Sequence, residues 1–164
     1  MKNLATILLN GIKHLGRKLR IEQQAGDTRI YIDGNRIEIT QGPKIDIVVH
    51  GDLESLEVGS ATVDVKGSAG SVKTGSGDVT CGAVTGSVST GSGDVECGDV
   101  GGSVSTGSGD VQCGAVEGNV TTASGEVDCG DVGSTITTVS GDVDCGNVGG
   151  NIKTMSGDVS HRRD

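Results

Sequence analysis

Large aromatic side chains are almost absent from this sequence, which contains no Trp, no Phe and a single tyrosine, Tyr31. Such a composition is typical of a disordered chain unless a repeating architecture gives small side chains a place to pack. Long hydrophobic runs are absent as well, because the apolar stretch from Leu4 to Leu9 is broken by Asn10 and Gly11 and precedes no small-residue cleavage site. We therefore expect neither a signal peptide nor a membrane-spanning helix.

A repeat of sixteen residues takes the place of these features. Five cysteines are spaced sixteen residues apart: Cys81, Cys97, Cys113, Cys129 and Cys145. Six valines keep the same spacing: Val79, Val95, Val111, Val127, Val143 and Val159. Fixed self-similarity of this kind is the signature of a solenoid. A helical repeat needs about 33 residues for its two helices, whereas a shorter unit with glycine-rich corners favours one coil of short strands.

Each coil is predicted to point its apolar side chains inward, at the positions of Val88, Val95, Cys97 and Val100. The predicted fold class is therefore all-β, a right-handed parallel β-solenoid of seven to eight coils. Stacked coils lie about 4.8 Å apart, and the narrow lumen admits Val, Cys and Thr but no aromatic ring. A lone coil buries too little apolar surface to offset the entropy of ordering it, so stability must come from stacking.

Four segments follow one another along the chain. Residues 1–20 are predicted to form a basic amphipathic helix, residues 21–43 a β-hairpin cap, residues 44–160 the β-solenoid and residues 161–164 a charged tail. The hairpin is indicated by two alternating runs around Asp33-Gly34-Asn35, a sequence typical of a tight turn. The first coils carry larger residues and no Cys, which is usual at the ends of a solenoid.

The predicted helix has an apolar seam with steps of three and four residues, formed by Leu4, Leu8, Ile12, Leu15 and Leu19. Residues 1–20 also carry five basic and no acidic side chains. Three roles are open for this helix: packing on the end of the solenoid or in a helical oligomer, lying on an anionic membrane surface, and docking to another partner.

We interpret the five repeated cysteines as core thiols that lie side by side at one inward position of successive coils. This arrangement is poor for disulfides, so we expect free thiols that serve as small core hydrophobes. Soft-metal binding is the alternative. Free thiols without a signal peptide favour a reducing compartment, and the expected location is cytoplasmic.

One surface feature recurs in successive coils with the same charge. It is an acidic column, which consists of Asp78, Asp94, Asp110, Glu126, Asp142 and Asp158. Residues 70–160 hold twelve acidic and two basic side chains. The first interpretation is that each carboxylate hydrogen-bonds corner backbone amides in an Asx-type turn. A second is calcium bound between coils, although the nonapeptide motif of calcium-binding β-rolls is absent. A third is an acidic decoy that mimics nucleic acid toward a basic protein.

Candidate catalytic residues do not converge anywhere in the sequence. His14, His50 and His161 are isolated, and none has a neighbour at metal-site spacing. The Gly-x-Gly patterns recur in every coil and are corners, whereas a dinucleotide fingerprint requires a single strand-to-helix junction. We therefore predict that the protein is not an enzyme, holds no cofactor or metal, and does not bind nucleic acid directly.

The repeated Thr-x-Ser-Gly-Asp-Val at Thr90 to Val95, Thr106 to Val111 and Thr138 to Val143 resembles the bacterial toastrack, or adhesin-like, family of β-solenoids. The Gly-Asp-Val and Gly-Asn-Ile cadence is also similar to that of bactofilins, cytoskeletal solenoids that polymerise end to end and often carry a membrane-binding N-terminal tail. The resemblance covers about residues 44–160. It implies a right-handed structural or scaffolding solenoid without a known catalytic site.

These observations favour a non-catalytic structural or scaffolding protein that acts as the subunit of an oligomer or filament. Its contacts are expected at the N-terminal helix and at the ends of the solenoid, because the few residues after Val159 do not provide a cap for the last coil. The expected partner is a second copy of the chain, or another structural protein at the open C-terminal coil. The alternatives are an acidic decoy that binds a basic protein, and a membrane-surface scaffold anchored by residues 1–20.

Overall fold

The computed structural model of the protein describes residues 5–9, 12–24, 27–37, 47–60 and 62–161. Strands and the corners between them make up these residues, and no helix is found among them. In chain order the strands are β1 Ala5–Leu9, β2 Ile12–Gly16, β3 Lys18–Gln24, β4 Asp27–Ile32, β5 Asn35–Ile37, β6 Ile47–His50, β7 Ser55–Val58, β8 Val63–Val65, β9 Val72–Thr74, β10 Val79–Cys81, β11 Val88–Thr90, β12 Val95–Cys97, β13 Val104–Thr106, β14 Val111–Cys113, β15 Val120–Ser124, β16 Val127–Cys129, β17 Ile136–Ser140, β18 Val143–Cys145, β19 Ile152–Lys153 and β20 Val159–His161.

Two sheets of ten strands run along the array. The first, which we call the Cys sheet, has the strand order β2-β1-β6-β8-β10-β12-β14-β16-β18-β20. The second, the Thr sheet, has the order β19-β17-β15-β13-β11-β9-β7-β3-β4-β5. From β6 and β7 to the C-terminal end, the pairings are parallel and join residues sixteen positions apart, as in Val79 with Val95 and Val88 with Val104. The predicted all-β parallel solenoid is therefore confirmed, while its right-handedness stays a prediction.

The third side of the coil is a row of single inward residues that form isolated parallel bridges from coil to coil. They are Leu53, Ala69, Val84, Val100, Val116, Val132 and Val148, which correspond to about seven turns. One step in this row, from Ala69 to Val84, is fifteen residues instead of sixteen, because the corner before the bridge shortens by one residue. The corner after the bridge lengthens by the same amount, so both sheets keep their sixteen-residue register.

Five side chains per coil fill the lumen, which is why the chain folds without a set of aromatic core residues. The four predicted inward positions are buried, with exposed fractions of 1% for Val88, 2% for Val95, 9% for Cys97 and 1% for Val100. The fifth position is a buried threonine of the Thr sheet, such as Thr90. Its Oγ1 accepts a hydrogen bond from Gly93 N at 3.1 Å and donates one to Gly93 O at 3.3 Å. Threonine therefore satisfies corner groups that valine would leave unpaired.

The corner that follows this threonine changes along the array. Its first residue is a glycine in three successive coils and then an apolar residue, in the order Gly75, Gly91, Gly107, Ala123, Val139 and Met155. A Cβ on Gly91 would overlap the carbonyl of the preceding corner, so this form of the corner requires glycine. In the next two coils, β15 and β17 extend further and the chain turns at Gly125 (φ 148°) and Gly141 (φ 149°). The buried hydroxyls of Thr122 and Thr138 have no hydrogen-bond partner in this form.

The N-terminal segment differs from the helix that the sequence predicts. Its described residues form β1 and β2, an antiparallel pair at the end of the Cys sheet, and β3, which runs parallel to β7 in the Thr sheet. Leu19 and Ile21 are buried, while Arg20 between them faces outward and contacts Glu57. This two-residue period lets β3 extend an existing sheet, and the gain from pairing and burial there outweighs the local helical pattern. Residues 1–4, 10 and 11 lie outside the described residues.

Strands β4 and β5 form a hairpin around the predicted turn and extend the Thr sheet beyond β3. Asp33 (φ 51°) and Gly34 (φ 84°) both have positive φ, as a two-residue type I′ turn requires. The Asp33 carboxylate accepts hydrogen bonds from the backbone N–H groups of Arg17 at 3.0 Å and Lys18 at 2.9 Å. These bonds tie the turn to the start of β3 and hold the pKa of Asp33 below its usual range. Residues 38–46, which contain the rest of the predicted second hairpin strand, lie outside the described residues.

Candidate interaction surfaces

Negative charge is concentrated on one face of the array. Of the twelve acidic residues between positions 70 and 160, six form the acidic column, three project from the Cys sheet and two lie at the corner after it, so eleven share this face. They are Asp78, Asp94, Asp110, Glu126, Asp142 and Asp158 in the column, Glu96, Asp128 and Asp144 on the sheet, and Asp99 and Asp131 at the corner. From β9 to β19, the residue between the inward residues of the Thr sheet is a serine, a threonine or one of the two lysines Lys73 and Lys153. The longer strands β15 and β17 add the exposed apolar residues Ala123 and Val139.

The structure brings the residues of the predicted acidic column together at the corner before the Cys sheet. Aspartates of the column accept hydrogen bonds from the backbone N–H of their counterparts in the next coil. Asp94 N lies 3.2 Å from Asp78 Oδ1, Asp110 N lies 3.0 Å from Asp94 Oδ1, and Glu126 N lies 2.8 Å from Asp110 Oδ1. The predicted contact with corner amides is confirmed for these aspartates, but the amide belongs to the next coil, so the Asx-type turn is wrong. These bonds offset the repulsion between stacked carboxylates and clamp one coil to the next.

Similar clamps occur at the other two corners of the coil. After the Cys sheet, Asp99 Oδ1 accepts a hydrogen bond from Ala115 N at 2.8 Å. Before the Thr sheet, Ser103 Oγ accepts one from Asn119 N at 3.0 Å. Polar side chains at all three corners therefore join successive coils, in addition to the pairings within both sheets. This network stiffens the array along its axis.

Acid is expected to weaken a clamp in the first coil, between Asp52 and Ser68. The Ser68 hydroxyl and backbone N–H both donate to the Asp52 carboxylate, and these bonds lower the pKa of Asp52. A carboxyl whose pKa is lower in the folded chain contributes stability above its unfolded pKa of about 3.9 and loses it as the pH falls through the folded value. The same sign applies to Asp33. We therefore expect the melting temperature to fall as the pH drops below about 4.

Thermal melts between about pH 2 and pH 7 test this expectation. The Asp52→Asn variant should be less stable than the wild type at neutral pH and should lose less stability on acidification, because it cannot titrate. Glu117→Gln serves as the control, since Glu117 lies outside the acidic face and its side chain makes none of the corner bonds described above. Equal loss of stability in the wild type and Asp52→Asn would contradict the role of this carboxylate.

A shallow open depression lies on the acidic face beside the column. It is lined by Asp110, Val111, Gln112, Glu126 and Asp128. Its carboxylates favour cationic ligands over anionic ones. Within the described part of the chain, no group of three or more His, Cys, Asp or Glu side chains has the arrangement of a metal site. The alternative interpretation of the column as a calcium site therefore has no defined set of ligands among the described residues.

The five core thiols form a buried column behind the acidic face. Cys97 Sγ and Cys113 Sγ are 3.1 Å apart. The contact with Cys113 and burial raise the pKa of Cys97 to about 12. The contact with Cys97 and burial likewise raise the pKa of Cys81. Their predicted place in the core is confirmed, and the raised pKa values keep these two thiols protonated at neutral pH.

Native thiols are expected to react slowly with a thiol reagent, because the thiolate is the reactive form and the lumen is closed. Mass spectrometry after brief labelling should find almost no modified Cys in the native protein, and modification of all five Cys residues after denaturation. The denatured sample is the control for reagent activity. Rapid labelling of several cysteines in the native protein, or a mass that corresponds to internal disulfides, would contradict this prediction.

The predicted helical seam does not form one surface in the described residues. Leu19 is 1% exposed in the core, whereas Leu15 is 56% exposed. Leu8 and Ile12 belong to β1 and β2, and Leu4 lies outside the described residues. An oligomer contact or membrane anchor that used the whole seam would therefore require Leu19 to leave the core, at a cost of about 2 kcal/mol or more.

The sequence predicts that the last coil has no cap. The structure shows which backbone N–H groups lie at that end. On each side of a coil, an inward residue donates its N–H to a carbonyl of the next coil, and the last such donors are Val132, Ile136 and Val143. The residues that follow them in their rows direct their N–H groups away from the array; these are Val148, Ile152 and Val159. Val159 is 38% exposed, compared with 1% for Val143 in the same row. Met155 in this coil is 84% exposed.

No protein-family model matches the sequence, and no match was found among curated proteins or among solved structures. The resemblance to toastrack proteins and bactofilins therefore stays a prediction. None of the described residues belongs to a helix long and apolar enough to cross a membrane.

Proposed function

We propose that the protein is a non-catalytic structural scaffold, a stiff rod that acts as the subunit of an oligomer. Two features support this proposal: the lumen is filled by the inward side chains of every coil, and polar groups at three corners join successive coils. A rod of this kind gains stability with each added coil, because stacking offsets the entropy of ordering the coil. The same physical rule applies at a subunit boundary, where another copy acts as the next coil.

The observation that carries the proposal is the edge of the last coil. Because Val132, Ile136 and Val143 donate their N–H groups to the next coil, the same register directs the N–H groups of Val148, Ile152 and Val159 toward the end of the rod. Val148 and Ile152 are only partly buried, unlike their counterparts in the preceding coil, Val132 and Ile136. An exposed parallel edge of this kind is a template for further strands. A second copy placed there would supply carbonyl acceptors and cover the apolar side chains.

Sedimentation velocity at protein concentrations from about 1 to 100 μM tests the proposal. We expect the mean mass to rise with concentration and to change little with added salt, because backbone hydrogen bonds and apolar contacts form the interface. Val159→Pro should reduce assembly, since it removes one outward N–H without breaking a bond inside the subunit. Val159→Ala is the matched control, because it shortens the same side chain and keeps the N–H. A wild-type protein that remains monomeric at every concentration would refute the proposal.

The segregation of charge favours a second candidate function, an acidic decoy that binds a basic protein. An oligolysine peptide is a suitable probe, and its affinity should fall steeply between about 0.1 and 1 M salt, where the screening length drops from about 10 to 3 Å. Neutralising the sheet positions with Glu96→Gln, Asp128→Asn and Asp144→Asn should weaken binding at low salt. Lys73→Gln and Lys153→Gln on the Thr sheet provide the control. Binding that is insensitive to salt and to the acidic substitutions would exclude this candidate.

A further inference from the structure

We call the end of the array formed by β2 and β5 the head, and the end formed by β19 and β20 the tail. We infer that copies of this chain join head to tail, so that β20 of one copy pairs with β2 of the next and β19 pairs with β5. The inference rests on the proposed function, because it identifies the partner of the last coil as the first strands of an identical chain. Both sheets then continue through the contact without a break. Three independent features of the described strands lead to this arrangement: their directions, their layers and their free backbone groups.

Strand directions match at the two ends of the array. In the Cys sheet, β1 is antiparallel to β6 and β2 is antiparallel to β1, so β2 runs in the same direction as β6 and β20. In the Thr sheet, β3 is parallel to β7, β4 is antiparallel to β3, and β5 is antiparallel to β4. Strand β5 therefore runs in the same direction as β7 and β19. Each outer strand at the head can extend the array in the parallel pairing that the coils already use.

The two ends also have complementary steps. A layer consists of the two strands, one from each sheet, that lie at the same level along the axis, such as β18 and β19. Each sheet contains ten strands, but the sheets are offset from each other by one layer. At the tail, the Cys sheet ends with β20, one layer beyond β19 of the Thr sheet. At the head, β1 and β3 occupy the same layer, and the Cys sheet then ends with β2 while the Thr sheet continues through β4 to β5. The projecting β20 therefore meets the recessed β2, and the projecting β5 meets the recessed β19.

Among the described strands, none pairs with the outer edge of β5 or of β19, and the backbone groups at these two edges fit this register. Alternation from the two-residue turn directs the N–H and C=O of Arg36 to the free edge of β5. Ile37 is the register partner of Ile30, which belongs to the inward row of the Thr sheet. When Ile152 lies opposite Ile37, its outward N–H points at the Arg36 carbonyl. Ile136 makes the equivalent bond to the coil that follows it, at 3.0 Å.

A tail-to-tail pair is the main competing arrangement. A two-fold axis would set β20 of each copy antiparallel to a strand of the other, so the parallel register of the array would stop at the contact. It would also leave both heads uncovered and close the assembly as a dimer. Head-to-tail contacts are heterologous and produce an open polymer.

Two edge-blocked variants distinguish these arrangements. Val159→Pro removes an outward N–H of the tail, and Arg36→Pro removes one of the head. We expect each variant to be monomeric by sedimentation velocity, while an equimolar mixture forms a one-to-one dimer through the intact head of the first and the intact tail of the second. Circular dichroism melts against Val159→Ala and Arg36→Ala establish that the proline variants are folded. A homodimer of Arg36→Pro would demonstrate a tail-to-tail contact and overturn the inference.

Electron microscopy of wild-type assemblies provides a measurement that does not depend on the variants. Ten layers spaced about 4.8 Å apart give an axial repeat of about 48 Å for head-to-tail stacking. A polymer in which tail-to-tail contacts alternate with head-to-head contacts would instead have a repeat of about 96 Å. Wild-type assembly with the longer repeat, or without a dimer in the mixture of folded variants, would overturn the head-to-tail arrangement and leave the scaffold proposal intact. A wild type that does not assemble at all would overturn both.

Discussion

Replacement of Val111 by aspartate is expected to unfold the coils on both sides of it. Val111 is 1% exposed and pairs with Val95 in β12 and with Val127 in β16. Aspartate at this position places an unpaired carboxylate in a filled apolar lumen, which costs about 5 kcal/mol. That cost is comparable with the whole stability of many domains. Because each coil is stable only through its neighbours, the loss should spread along the array.

Circular dichroism melts of Val111→Asp and Gln112→Asp measure this effect. Gln112 is the next residue of the same strand, but its side chain is exposed. The matched control therefore introduces the same charge outside the lumen. We expect Val111→Asp to lower the melting temperature by more than about 10 °C. Gln112→Asp should lower it by less than about 5 °C, because its carboxylate stays in solvent and is only repelled by Glu96 and Asp128 of the neighbouring coils. Similar melting of Val111→Asp and the wild type would show that the inward register is wrong.

Replacement of Gly93 by alanine is expected to have the second largest effect. A Cβ at this position would overlap the Gly77 carbonyl of the preceding coil, so the backbone of one coil would have to move. Overpacking of this kind typically costs about 1–3 kcal/mol, and we expect the upper part of that range because the obstacle is backbone. The shift would also disturb the bonds between Gly93 and Thr90.

Ser92→Ala is the control for Gly93→Ala, because Ser92 occupies the same corner and its side chain is exposed. A loss of about 3 kcal/mol corresponds to a decrease of about 6–12 °C in melting temperature for a protein of this size. The control should melt within about 2 °C of the wild type. Wild-type melting of Gly93→Ala would mean that coils are spaced more widely at this corner than the structure shows.

The core of the solenoid could be predicted because one short pattern recurs many times. Alternation within Val95-Glu96-Cys97 assigns two residues to the lumen and one to the surface, and the repeat then extends this assignment to every other coil. The structure confirms these positions and the burial of the core thiols. The sequence indicated that threonine fits the lumen. It did not predict the hydrogen bonds of the buried threonines to corner glycines, because these bonds depend on the path of the chain around the corner.

The N-terminal segment shows why a local pattern can mislead. Leu15 and Leu19 are four residues apart, as on one face of a helix, yet Leu15 is exposed and Leu19 is buried. The decisive fact is the neighbouring strand β7, which offers a ready edge for β3. The spacing of apolar residues can be read from the sequence. The presence of a partner strand more than 30 residues away cannot.

The sequence by itself determined the coil: its length, its inward side chains and its need for neighbours, because all three depend on a short repeat and on the size of side chains. Only the tertiary structure decided how coils are joined at their corners and which strands form the two ends. The Asp94 carboxylate illustrates the reason, since its partner is an amide sixteen residues away that comes within reach only after stacking. The offset between the two ten-stranded sheets likewise arises from pairing between distant segments, and it is this offset that shapes the ends of the rod.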